Sequence, residues 1–144
     1  MSDTFLVGVD GSECSMRAAR FAVDRAKRMD ARLVVVYVIE WSPYSFNTPE
    51  ENEQRHKRRE EEISAATEKV LNPLLESIRE SGVATEGIVR HGHIAEVMIG
   101  LGEEHNAVGM FIGRIGTTTL KTMLFGSVAS NLVQTSPIPV TVVP

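Results

Sequence analysis

The residues best placed to do chemistry lie late in the chain. Gly113 and Gly116 stand three apart after the apolar run 107–112, and nine residues separate Gly116 from the pair Gly126-Ser127, which opens a segment of helical spacing. Glycines let backbone N–H groups approach an anion closely, and a helix N-terminus adds unpaired donors and the positive end of its dipole. The layout is that of a phosphate cradle, although two glycines at this spacing also mark an ordinary turn.

Two earlier stretches offer partners for such a cradle. Asp10-Gly11-Ser12 ends an apolar run that begins at Phe5, and a residue such as Asp10 at that point also has the ordinary reading of a turn or cap residue. Val38-Ile39-Glu40 ends a second run. Other candidates carry less. His91 and His93 are separated by one residue, but no third ligand is evident nearby, so they read as loop histidines. Cys14 is the only cysteine, which excludes an internal disulfide or a thiolate pair, and it reads as a small helix residue. Arg55-His56-Lys57-Arg58-Arg59 is followed at once by Glu60, Glu61 and Glu62, so this stretch reads as a solvated helical face.

These residues need a frame. Residues 5–9 and 33–39 read as buried parallel strands around a helix over 12–29, with Ser12 as its cap, Glu13 in its first turn and Met16, Ala19, Ala22, Val23 and Ala26 as its apolar stripe. A loop over 40–48 leads to a helix announced by Thr48-Pro49-Glu50-Glu51, in which Thr48 and Glu51 form a capping box. His56/Glu60 and similar pairs four apart support its charged part, and Ile63, Ala66, Val70, Leu74 and Ile78 supply a stripe. Pro73 predicts a kink or break near Asn72, and Ser81-Gly82 an end. A strand near an edge (83–90), a helix through Ile94, Val97, Met98 and Leu101, a strand (107–112), a short helix with Val128, Leu132 and Val133, and a last strand (138–143) complete the tally.

The expected fold is therefore α/β: one Rossmann-like open sheet of five mainly parallel strands, with helices on both faces, in a single domain spanning 1–144. Ligands of such sheets bind beyond the strand C-termini where the strand order reverses, and the three stretches above sit at such ends. Neither G-x-G-x-x-G nor G-x-x-x-x-G-K-[ST] is present, against dinucleotide and P-loop readings. The net charge of -4 argues against nucleic-acid binding, and the longest strictly apolar run, 33–39, is too short to span a membrane. With no basic and apolar leader at its start, the protein is expected to be cytoplasmic.

Taken together, Val9-Asp10-Gly11-Ser12, the strand ending Tyr37-Val38 and the G-x2-G-x9-G-S pattern resemble the universal stress proteins, over nearly the whole chain. The resemblance is to the ATP-binding subclass. It implies a sheet of order 3-2-1-4-5 and an adenine-nucleotide pocket in which Asp10 sits by the ribose and the Val38 backbone recognises adenine. Ile112, Gly113, Arg114, Gly116, Gly126, Ser127, Val128 and Ala129 then line the phosphate side, with Mg2+ or Mn2+ as the accompanying ion. Family members often carry a second hydroxyl two residues after the serine, where this chain has Ala129, so one phosphate or metal contact is expected to be missing. His93 stands where an acidic residue is common, and Val108 where the fourth strand commonly has Asp.

The same resemblance implies a homodimer through the last strand, from Pro139 to Val143, unless a helix covers that edge. The expected function is a nucleotide-dependent stress-response module with a regulatory protein partner. Slow ATP hydrolysis is the alternative, for which Arg114 or Lys121 would stabilise charge but no residue is evident to position water. A nucleotide-free dimeric scaffold is the third reading.

Overall fold

The computed structural model describes residues 2–40, 49–116 and 126–144. Among them the order is β1 (Thr4–Val9), α1 (Glu13–Met29), β2 (Arg32–Ile39), α2 (Pro49–Ala66), a π-helical turn (Thr67–Leu71), α3 (Asn72–Glu80), β3 (Thr85–His91), α4 (Ile94–Glu104), β4 (Gly109–Gly113), α5 (Ser127–Thr135) and β5 (Val140–Val143). The strands form one sheet of order β3-β2-β1-β4-β5, and every pairing is parallel. The central strands are apolar on both faces because helices cover both.

Alternation along β1 and β2 divides the core. Phe5, Val7, Val9, Leu33 and Val35 face α1, the π turn and α3, while Leu6, Val34 and Val36 face α4 and α5. On the first face α1 presents Ala18, Ala19, Ala22 and Ala26, all fully buried, and such small side chains let a helix lie close against a sheet. Phe111 fills the remaining space, with the ring of Phe5 edge-on at 5.4 Å and that of Phe21 tilted at 5.8 Å. Such ring pairs add about 0.5–1.5 kcal/mol each beyond the area they bury. On the second face Met98, Ala129 and Leu132 are the helix residues driven deepest.

Several expectations shift. Pro73 does not break the helix, because the chain adjusts one turn earlier: Thr67–Leu71 widens, and the Asn72 N–H donates to the Thr67 carbonyl five residues back. The extra residue absorbs the hydrogen bond that proline cannot make. The fourth strand starts at Gly109 rather than at 107. Asn106 is left-handed (φ 51°), the Ala107 N–H closes α4 on the Gly102 carbonyl at 2.8 Å, and Val108 is 42% exposed. Val133 and Ile63, expected in apolar stripes, lie 57% and 37% exposed. The third strand starts two residues later and ends one residue later than expected, and it lies at a sheet edge, as expected. The His56–Glu60 pair forms at 3.3 Å with both side chains in solvent, where it contributes little. Thr48, half of the expected capping box, and Lys121 lie outside the described residues.

Candidate functional site

The sheet order reverses between β1 and β4, and the crevice there opens into a cavity of about 650 Å³ at the strand C-termini. The ten residues singled out in sequence are all brought to its wall. Asp10 leaves β1, Val38 is near the end of β2, and Ile112 and Gly113 end β4. Arg114 and Gly116 follow, and Gly126, Ser127, Val128 and Ala129 form the start of α5.

The turn that carries Asp10 is built by local hydrogen bonds. The Ser12 N–H donates to Asp10 Oδ1 at 2.9 Å, and the Asp10 N–H donates to Ser15 Oγ at 3.2 Å. Ser15 Oγ in turn donates to the Ser12 carbonyl at 3.0 Å, while the Ser15 N–H donates to the Ser12 hydroxyl, which caps α1. Gly11 takes φ 84°, a conformation in which a side chain would be strained. Asp10 thus serves as the turn residue that one reading of the sequence expected. Its second oxygen faces the glycine stretch: a Cβ at Gly116 would stand 3.1 Å from Asp10 Oδ2.

The described ends of the glycine stretch are tied together. The Arg114 N–H donates to the Val143 carbonyl at 2.8 Å, and the Arg114 carbonyl accepts from the Gly126 N–H at 2.8 Å. This stretch therefore bridges the end of β5 and the start of α5. Gly126 is the N-cap in extended conformation and offers no side-chain acceptor, so the N-cap residue leaves the first-turn N–H groups of α5 without a side-chain cap of its own where the helix meets the cavity. Anions are favoured at such a terminus.

The remaining wall was not legible as a site. Glu62, Ala65, Ala66, Lys69 and Val70, from α2 and the π turn, close the cavity on the α1 face, and Ile94 and Met98 of α4 line the other. Ser15, which holds the Asp10 turn, is 4% exposed and also lines the cavity. The spacing 62, 65, 66, 69 was the available signal, since it is one helical face with small residues in the middle. It was obscured because Glu62 belongs to a run of charge that reads as a solvated surface.

The histidines do not form a metal centre with other described residues, among which no group of three His, Cys, Asp or Glu could hold an ion. His91 Nε2 lies 3.5 Å from Glu62 Oε2, beyond the usual hydrogen-bond range, and that atom is buried with no hydrogen-bond partner among the described residues. His93 is the N-cap of α4 and caps nothing with its ring. Cys14 is buried, its thiol directed at the Val143 carbonyl at 3.4 Å. Among the described residues no helix is long and apolar enough to cross a membrane.

The chain is similar in sequence and fold to known proteins. A universal stress protein of Methanocaldococcus jannaschii is 28% identical over 138 residues, covering 96% of this chain and 79% of that one. The Bacillus subtilis universal stress protein YxiE is 29% identical over 152 aligned positions, covering 99% of each. Among solved structures, the universal stress protein UspA from Lactobacillus plantarum superposes with a TM-score of 0.87 at 22% identity, covering 99% of this chain and 97% of that one. A universal stress protein solved in complex with cAMP (TM-score 0.71, 23% identity, 99% and 96% covered) shares the fold. So does one from Archaeoglobus fulgidus solved with dAMP (TM-score 0.66, 20% identity, 100% and 98% covered). The universal stress protein family as a whole matches residues 1–144. With the match extending from end to end and the sheet order in agreement, the chain belongs to the universal stress protein family.

Proposed function

We propose that this chain binds ATP with a divalent ion in the crevice between β1 and β4 and acts as a nucleotide-dependent regulatory module. The observation that carries the reading is the closure of the glycine stretch: Gly113 to Gly116 and Gly126-Ser127 meet through the Arg114–Gly126 hydrogen bond, beside the carboxylate of Asp10. The cavity volume suits a nucleotide, since small-molecule pockets run from about 300 to 1,000 Å³. Relatives of the same fold solved with cAMP and dAMP support an adenine-nucleotide ligand.

In this reading Asp10 accepts from the ribose hydroxyls and the Val38 backbone reads the adenine edge. Gly113, Arg114, Gly116 and Gly126 supply backbone donors to the phosphates, with Ser127 Oγ and the first turn of α5, Val128 and Ala129, completing the cradle, and Ile112 packs beneath. Mg2+ or Mn2+ accompanies the phosphates. Ala129 brings no hydroxyl, so Ser127 alone supplies a side-chain donor there. The same proposal makes the protein a homodimer through the edge of β5.

Gly116→Val tests the assignment. Its Cβ would stand against Asp10 Oδ2, so Mg-ATP binding measured by calorimetry is expected to disappear while the circular dichroism spectrum is kept. Unchanged affinity in a folded variant would overturn the site.

A further inference from the structure

The wall contributed by α2 and the π turn is not neutral. Glu62 and Lys69 lie seven residues apart on one face, about 10 Å along the axis, with Ala65 and Ala66 between them. Glu62 stands at the β3 end, beside His91. Lys69 stands at the β1 end: the next residue, Val70, has its Cγ2 3.5 Å from where a Cβ on Gly11 would be, so the π turn rests on the Asp10-Gly11-Ser12 turn. The cavity is thus unevenly charged. Glu40 and Glu62 mark its β2–β3 side, whereas Lys69 and Arg114, together with the Asp10 carboxylate, mark its β1–β4 side.

Among the described residues Lys69 makes no ion pair. An ammonium group at the rim of a cavity, not tied into an ion pair, favours an anionic group of a ligand at its own end of that cavity. Lys69 and Val70 both belong to the π turn and line the cavity wall, and such turns often mark functional sites.

We infer that Lys69 is a phosphate-reading residue that makes this site select a nucleoside polyphosphate over a nucleoside. The inference rests on the nucleotide reading above and adds to it a residue outside the glycine stretch. An amino-bearing base directs its donors toward the acidic end, and the phosphates lie toward Lys69 and the α5 N-terminus.

The test is calorimetric titration of the full chain and of Lys69→Gln and Lys69→Arg with Mg-ATP, AMP and adenosine. Lys69 is solvent-exposed, so neither substitution opens the core. For Lys69→Gln, ATP is expected to weaken roughly tenfold, as for loss of one charge-assisted contact, with adenosine changed less than about twofold. Lys69→Arg restores most of the ATP affinity, and added salt narrows the gap between wild type and Lys69→Gln. Equal weakening of ATP and adenosine, or unchanged ATP affinity in folded Lys69→Gln, overturns the role of Lys69 while leaving the nucleotide site standing. If the wild type binds none of the three ligands, both readings fall together.

Discussion

At the scale of single residues, the site depends on a hydroxyl that no motif announces. Ser15 accepts from the Asp10 N–H and donates to the Ser12 carbonyl from a position 4% exposed to solvent. Ser15→Ala leaves both groups without that partner, so the variant is expected to lose about 1–3 kcal/mol in urea unfolding. A loss below about 0.5 kcal/mol would mean that water replaces the hydroxyl freely. Ser127, in contrast, sits exposed at the start of α5, and Ser127→Ala should weaken ATP more than adenosine with no loss of stability. Equal weakening of the two ligands would remove Ser127 from the phosphate contacts. Asp10, Gly113, Gly116, Gly126 and Ser127 were legible because aspartate, glycine and serine at element ends each imply a specific backbone task, whereas Val38, Ile112, Arg114, Val128 and Ala129 were reached only through the family resemblance. Ser15, Glu62 and Lys69 were not legible, because each has an ordinary alternative, as an interior helix residue or as part of a solvated charge run.

At the scale of elements, the sheet and helix types followed from periodicity, whereas the boundaries were decided by hydrogen bonds that cross between elements. Val108 illustrates this: it is β-branched and follows an apolar residue, yet it stays outside β4 because the chain has only just left the left-handed residue Asn106. Pro73 illustrates it differently, since a proline inside a helical pattern predicts an interruption but not whether the chain breaks or widens by one residue. Two glycines provide contrasting tests of packing. A Cβ on Gly113 would meet Cys14 at 2.9 Å from Sγ, and at 3.1 and 3.2 Å from the backbone C and O, where α1 begins against the end of β4. Gly113→Ala is therefore expected to destabilise by about 1–3 kcal/mol, as overpacking does. Gly100, exposed within α4, has nothing within 4 Å of the same position, and Gly100→Ala should stabilise by about 0.5–1 kcal/mol. Thermal melts of the two variants shifting in the same direction would contradict this packing account.

At the scale of the whole molecule, a five-stranded sheet covered on both faces leaves β3 and β5 as its edges. The Pro139 carbonyl accepts from Met110 of β4 and the Val143 carbonyl from Arg114 just past its end, so along β5 the alternate residues Val140 and Val142 direct their backbone groups away from β4. These are the groups available for pairing in the proposed dimer. Val142→Pro removes one outward donor and leaves the β4 ladder intact, so sedimentation is expected to find a dimer for the wild type and a monomer for the variant. A dimeric Val142→Pro variant would place the interface elsewhere. The strand order was legible only through family resemblance, because alternation of strands and helices fixes neither which strand is central nor where the order reverses. The central claim concerns the crevice at that reversal. It is tested most directly by calorimetric titration of nucleotide-stripped wild-type protein with Mg-ATP, AMP and GTP. Binding on the order of micromolar, with ATP preferred over both, is the predicted result. Absence of binding to all three would contradict it and leave the fold without its proposed ligand.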